Sequence, residues 1–257
     1  MTDSLAIMPL TGLPLIRPGD DLARLMVKAA EKVRIGVRNG DVLVVGQKAV
    51  SKSEGRLVDI NRIAASKRAR KISRRTGKPA GLIEAVLKDA KRVVKANKEA
   101  FIVTTKQGWT CLNGGADKSN VKGTPNYALL PRNADASARR LRSRIRGLTG
   151  RNVGVIICDT HSRPFRRGQV EETIGIAGLN PMVDYRGQRD LFGYQLRFKN
   201  VAVADELASA AELVMGQGRE RIPAAIIRGL KRVRFQDRSS SARLVVGENE
   251  DLFRGTF

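Results

Sequence analysis

The chain has 257 residues, 42% of them apolar, enough for one large domain or two small ones and too hydrophobic for a disordered tail. Lysine and arginine number 48 against 25 acidic residues. The net charge of +23 draws polyanions (nucleic acid, a nucleotide or an acidic coenzyme) and is equally compatible with charges that are merely solvated. No cationic stretch leading into an apolar run opens the sequence, and no apolar run approaches the roughly 20 residues of a membrane span, so a secretory leader and a membrane segment are not expected. The two cysteines, Cys111 and Cys158, lie far apart inside apolar runs and read as buried reduced thiols. These features suit a soluble cytosolic protein.

Residues 1–18 read as a strand and loop punctuated by Pro9, Gly12, Pro14 and Pro18. Asp20 or Asp21 caps a helix starting near Leu22. The turn Asn39-Gly40 leads into a buried strand, Asp41 to Val45, and residues 47–56 form a polar loop with helical potential. Two basic helices are expected next, Ser66 to Arg75, stopped by Gly77, and Ala80 to Ala96, whose Ile83, Val86, Leu87, Ala90 and Val94 keep helical spacing. Phe101 to Thr105 and Trp109 to Leu112 flank Gly108 as a hairpin, followed by a polar loop from Asn113 to Asn126. Asp135 caps a helix ended by Gly150. Val153 to Cys158 is a central strand with Asp159-Thr160 at its carboxyl end, where open sheets present polar chemistry. A Gly- and Arg-rich loop spans His161 to Gly168. A strand from Gln195 to Val203, a helix from Asp205 to Met215 and a strand from Pro223 to Ile227 complete a mixed α/β pattern without repeats.

Four stretches could carry chemistry. Asn113-Gly114-Gly115-Ala116-Asp117-Lys118-Ser119-Asn120 offers close backbone approach, a carboxylate and a carboxamide, although such stretches are usually only turns. Asp159-Thr160 suits a magnesium- or manganese-type ion shared with phosphates, or simply caps the following turn. Arg163, Arg166 and Arg167 could clamp anionic groups in bidentate fashion. Lys48 and Lys52, four apart, would project from one face of a helical turn toward a polyphosphate, without Walker A spacing. The lone histidine, His161, reads as structural, and neither a nucleophilic triad nor a zinc cluster is present in the pattern.

Taken in order, these stretches resemble the coenzyme F420-0:L-glutamate ligases. The resemblance runs through Gly12-Leu13-Pro14-Leu15-Ile16 with Pro18-Gly19-Asp20-Asp21-Leu22, Gly40 to Val45 and Ser51 to Arg56. It continues with Asp117-Lys118-Ser119-Asn120-Val121, with Asp159-Thr160, and with Arg163-Pro164-Phe165-Arg166-Arg167-Gly168-Gln169-Val170. Ile174-Gly175, Asp184 to Gly187, Val203 to Leu207, Leu213 to Gly216 and Ile227 to Leu230 close it.

The resemblance implies a single ligase domain over residues 1–257 with an α+β, two-lobed mixed sheet-and-helix fold that forms an intertwined homodimer. It implies a GTP-dependent ligase that joins L-glutamate to coenzyme F420-0 through an acyl phosphate, later glutamates being γ-linked. Asp117 and Asp159 would bind one Mg2+ or Mn2+, Thr160 and Gln217 a second, with K+ as a further cation. Leu13, Pro14, Leu15, Ile16, Gln47, Lys48, Lys52, Asn120 and the run Met215, Gly216, Gln217, Gly218, Arg219, Glu220, Arg221, Ile222 would line the GTP site. Arg163 and Arg166 are added on chemical grounds as contacts to anionic substrate, beside Asp117 and Asp159 as catalytic groups. Gln217 stands where relatives can carry an acidic ligand, and Ser162 where a glycine is common. A related GTP-dependent amide ligase on another carboxylate acceptor and a basic RNA-binding protein are the alternative readings; nucleic acid is not expected to be the working partner.

Overall fold

The computed structural model describes residues 4–123, 126–231, 233–247 and 249–252. Residues 1–3 of the expected opening segment and residues 124–125 of the polar loop lie outside them. Strand β1 (Ala6–Pro9) is followed by helix α1 (Leu22–Lys32), which Asp21 caps by accepting the Arg24 backbone N–H at 3.1 Å. Strand β2 (Val42–Gly46) runs straight into α2 (Gln47–Ser53). Next come β3 (Leu57–Asp59), α3 (Lys67–Thr76), α4 (Ala80–Asp89), β4 (Ala90–Ala96), β5 (Phe101–Thr105), β6 (Thr110–Leu112) and β7 (Asn126–Ala128). Helix α5 (Ala134–Thr149), strands β8 (Gly154–Ser162), β9 (Gln169–Ala177), β10 (Val183–Asp184) and β11 (Asn200–Val201), helix α6 (Val203–Met215) and strand β12 (Ala224–Arg228) complete the chain.

Five strands form the main sheet in the order β1-β12-β2-β8-β9, with β2 and β8 parallel and the other neighbours antiparallel. Successive residues of β2 and β8 serve opposite faces. Leu43, Val45, Val155 and Ile157 pack under α1 and α5, whereas Val42, Val44, Ile156 and Cys158 pack under α6. Both faces are covered, so Val42–Val45 and Val155–Cys158 are apolar at every position. A Cβ on Gly175 of β9 would lie 2.5 Å from the Ala134 backbone, so α5 rests directly on that strand. A separate core of Ile60, Ile72, Ile83, Val86, Phe101 and Val103 joins α3 and α4 to the three-stranded sheet β4-β5-β6. Gly81 fits there only because it has no side chain: a Cβ would meet the Ile60 carbonyl oxygen at 2.0 Å.

Four expectations are corrected. The helix expected over Ala80 to Ala96 stops at Asp89, and Ala90–Ala96 is a strand paired with β5. Two register irregularities in that pairing leave Ala90, Val93 and Ala96 partly covered and the residues between them exposed. That three-residue spacing imitates a helix in the sequence. The strand expected over Gln195 to Val203 shrinks to Asn200–Val201, and α6 already begins at Val203. The cap of α5 is Asn133, whose side chain accepts the Ala136 N–H at 2.8 Å; Asp135 instead accepts the Ile176 N–H at 2.9 Å and ties α5 to β9. The loop expected from His161 begins later, because β8 continues through Ser162 and pairs with β9 from Gln169.

Candidate active site

Topology brings four segments to one edge of the main sheet. Strands β1, β2 and β8 run the same way, so the loop 13–16, the β2–α2 junction and Cys158 to Thr160 all emerge there. Strand β12 runs the other way and starts at that edge, bringing the α6–β12 connection with it. Between them lies a cleft of about 1020 Å³, counted out to its open mouth. Leu13, Pro14, Leu15, Ile16, Gln47, Lys48, Lys52, Asn120, Asp159, Thr160, Met215, Gly216, Gln217, Gly218, Glu220, Arg221 and Ile222 line it. Asp117, Arg163, Arg166 and Arg219 do not.

Asp117 joins through Lys48. The Lys48 Nζ lies 2.9 Å from Asp117 Oδ2 and 2.7 Å from Ser119 Oγ, and Ser119 N–H donates to Asp117 Oδ1 at 2.7 Å. Burial works against the Asp117 anion, but the hydrogen bonds from Lys48 and Ser119 and the Lys48 charge hold it below the ordinary carboxylate range. Lys52, one helical turn beyond Lys48, donates to the Asn120 carbonyl oxygen at 2.7 Å, and Asn120 Nδ2 donates to the Gly218 carbonyl oxygen at 3.2 Å. Burial and then the Lys48 charge lower the Lys52 pKa. Asn120 adopts φ 55°, a conformation Asn tolerates better than most side chains. Gln47 is 2% exposed; its Oε1 accepts from Ser51 at 2.9 Å while its Nε2 has no hydrogen-bond partner, a buried donor on the cleft wall available to a ligand acceptor.

The inner end is built by β8 and β9. The ladder shifts by one residue between Ile157 and Cys158, because β9 carries Ile174 as an extra residue. The bulge swaps the faces of the β9 residues that follow in the pairing, so Glu171 lies across from Thr160 and Glu172 across from Asp159. Glu171 Oε1 is 2.5 Å from Thr160 Oγ1 and accepts from Gln217 Nε2 at 2.9 Å. Burial pushes the Glu171 carboxyl up, with the Asp159 charge adding to the shift and its hydrogen bonds only partly offsetting it. His161 is sandwiched, Nε2 at 3.1 Å from Asp159 Oδ2 and Nδ1 at 2.8 Å from Glu172 Oε2. Burial disfavours its cation, yet the bonds and charges of both carboxylates outweigh that and push its pKa up to about 10.

These donors fit a hard divalent cation. Among the described residues no group of three or more His, Cys, Asp and Glu side chains could hold a metal alone, so a cation here would draw on hydroxyl and amide oxygens as well. Thr160 has one hydroxyl hydrogen and cannot satisfy both Glu171 Oε1 and Gln217 Oε1, the latter 3.2 Å away. The three oxygens crowd around that one hydrogen, an arrangement a cation would relieve. Ser162 is extended within β8, so serine carries no strain there; the positive φ values of the following loop fall on Phe165 at 60° and Gly168 at 84°. The loop carrying Arg163 and Arg166 leaves the Arg163 Nε buried without a hydrogen-bond partner.

Glu171, Glu172 and His161 are the site residues that sequence reasoning missed or set aside. The unbroken polar runs Asp159 to Ser162 and Glu171 to Thr173 were the available signal, but the faces depend on the bulge.

Comparison with known proteins gives a consistent result. The family model described as F420-0:Gamma-glutamyl ligase matches residues 12–229. The chain is similar to the coenzyme F420:L-glutamate ligase of Methanothermobacter thermautotrophicus, at 39% identity over 98% of this chain and 99% of the relative. It is similar to those of Methanopyrus kandleri, at 43% identity over 93% of each chain, and Archaeoglobus fulgidus, at 42% over 96% of each. The family model and these relatives, matched over most of the chain's length, place the chain in the F420-0:gamma-glutamyl ligase family.

Proposed function

We propose that the protein ligates L-glutamate to coenzyme F420-0 at this cleft, with GTP as the activating nucleotide, and that it works as a homodimer. The supporting observation is that one cavity draws together Leu13–Ile16, Gln47, Lys48, Lys52, Asn120 and most of the 215–222 segment, the positions the resemblance assigns to GTP. A carboxylate is a poor electrophile. A carboxylate oxygen of F420-0 attacks the γ-phosphorus of GTP, GDP leaves, and the acyl phosphate gains a leaving group. The glutamate amine then attacks the acyl carbon; phosphate departs and the amine gives up a proton. Lys48 and Lys52 neutralise phosphate charge, and Gln47 Nε2 supplies a hydrogen bond from a dry wall. Asp117, Asp159, Thr160 and Gln217 would hold Mg2+ or Mn2+, which would supply charge to screen the polyphosphate and polarise the phosphoryl group. A fixed geometry of this kind makes positioning the main source of rate.

The test supplies purified protein with GTP, Mg2+ or Mn2+, L-glutamate and F420-0, and follows GDP release and product mass. Glutamylated coenzyme is expected, and Asp117→Asn lowers turnover on the order of 10²-fold or more with the fold intact. No GDP and no mass gain sinks the proposal. GDP release with a different carboxylate acceptor and none with F420-0 moves the assignment to a related amide ligase.

A further inference from the structure

Asp159 is oriented by a chain of side chains. The chain starts on β9 with Glu172, crosses to His161, and ends at Asp159. Asp159 and His161 are two residues apart on β8 and share a face, and the Ile174 bulge puts Glu172 on that face as well. The His161 side chain is 8% exposed, and both ring nitrogens are engaged at 3.1 and 2.8 Å, so the ring has one way to sit. It occupies Asp159 Oδ2 and leaves Oδ1 as the free oxygen of a residue that lines the cleft.

We propose that His161, anchored by Glu172, is a positioning residue that fixes the Asp159 carboxylate with Oδ1 available to a divalent cation. The proposal rests on the reading of Asp159 as a cation ligand. Groups hydrogen-bonded behind a ligating carboxylate set its direction, and their loss weakens metal binding by roughly 10- to 100-fold. Glu172 acts only through the ring, so its effect must vanish when the ring is gone.

The probe is Mn2+, titrated into the full chain with and without GDP and read by the loss of free-ion paramagnetic resonance signal. The set is wild type, Asp159→Ala, His161→Ala, Glu172→Ala, Glu172→Gln and the double variant His161→Ala/Glu172→Ala, each checked for cooperative thermal unfolding. His161→Ala is expected to weaken Mn2+ binding by roughly 10- to 100-fold. Glu172→Ala should give a smaller loss, Glu172→Gln, which keeps an acceptor for Nδ1, should recover most of it, and the double variant should match His161→Ala. Wild-type affinity in His161→Ala, or a Glu172→Ala effect of equal size with and without the ring, overturns the proposal while the cation site stands. Where His161→Ala fails to fold, the two Glu172 variants decide: equal affinity for Glu172→Ala and wild type overturns it. Wild type without Mn2+ binding, or Asp159→Ala binding as wild type does, instead removes the cation reading and the proposal with it.

Discussion

The main sheet and the β4-β5-β6 region solve the same packing problem differently. In the main sheet, helices cover both faces, so β2 and β8 are buried through Val42–Val45 and Val155–Cys158 and their register is pinned from two sides. In the smaller region only one face of β4 meets a core, and Lys91, Arg92 and Lys95 face solvent. Doubly covered strands state their identity in sequence as unbroken β-branched runs. A singly covered edge strand with bulges does not. The two regions meet at the cleft, where the sheet side supplies Lys48, Asp159 and Gln217, and the other side supplies Asn120 and, behind Lys48, Asp117.

That contrast can be stressed by substitution. In the main sheet, Arg228 donates through Nε and a terminal nitrogen to Asp41, at 2.8 Å each, and Asp41 is fully buried. Arg228→Met strands that charge inside the sheet and is expected to cost about 3–5 kcal/mol in urea unfolding. A loss below about 1 kcal/mol would mean the main sheet can relax around the carboxylate. In the smaller core, Ile83 is fully buried between α4 and its neighbours, and Ile83→Ala is expected to cost about 2–5 kcal/mol. If the two regions unfold as one unit, both variants shift a single transition; if only Ile83→Ala produces a second, earlier transition, they are separable.

The smallest effect is read by thiol labelling. Burial, then the charges of Asp159 and Glu172, push Cys111 on β6 up to about 12, and burial raises Cys158 on β8 well above its ordinary value. A raised thiol pKa keeps the neutral form at pH 8 and restores reactivity only as pH climbs. For Cys111, about one molecule in 10⁴ carries thiolate at that pH. Native protein is therefore expected to resist a neutral disulfide reagent at both positions. Labelling of Cys111 ahead of Cys158 as urea rises would show the smaller region opening first; simultaneous labelling would show one cooperative unit.

Much of the main sheet was legible because caps and continuous apolar runs are local signals. Asp21, Ser66, Gly77 and Gly150 mark helix ends where they were expected. The site was legible only in part. Lys48 and Lys52 follow from helical spacing, and Asp159-Thr160 from the end of an apolar strand, but Leu13–Ile16 and the 215–222 segment came from resemblance alone. Glu171 and Glu172 were out of reach because one inserted residue, Ile174, decides which face each serves, and no composition rule announces a bulge. Arg163 and Arg166 were chosen on charge, and charge does not say where a loop points.

Gly175 gives the fold an unexpected mechanical link. Four residues after Glu171 on the same strand, it is the spot where helix α5 rests on the sheet with no room for a methyl group. Any side chain at 175 would have to lift the helix or tilt the strand, only three and four residues from Glu172 and Glu171. A position with no side chain of its own is therefore as closed to change as the oxygens that face the cleft.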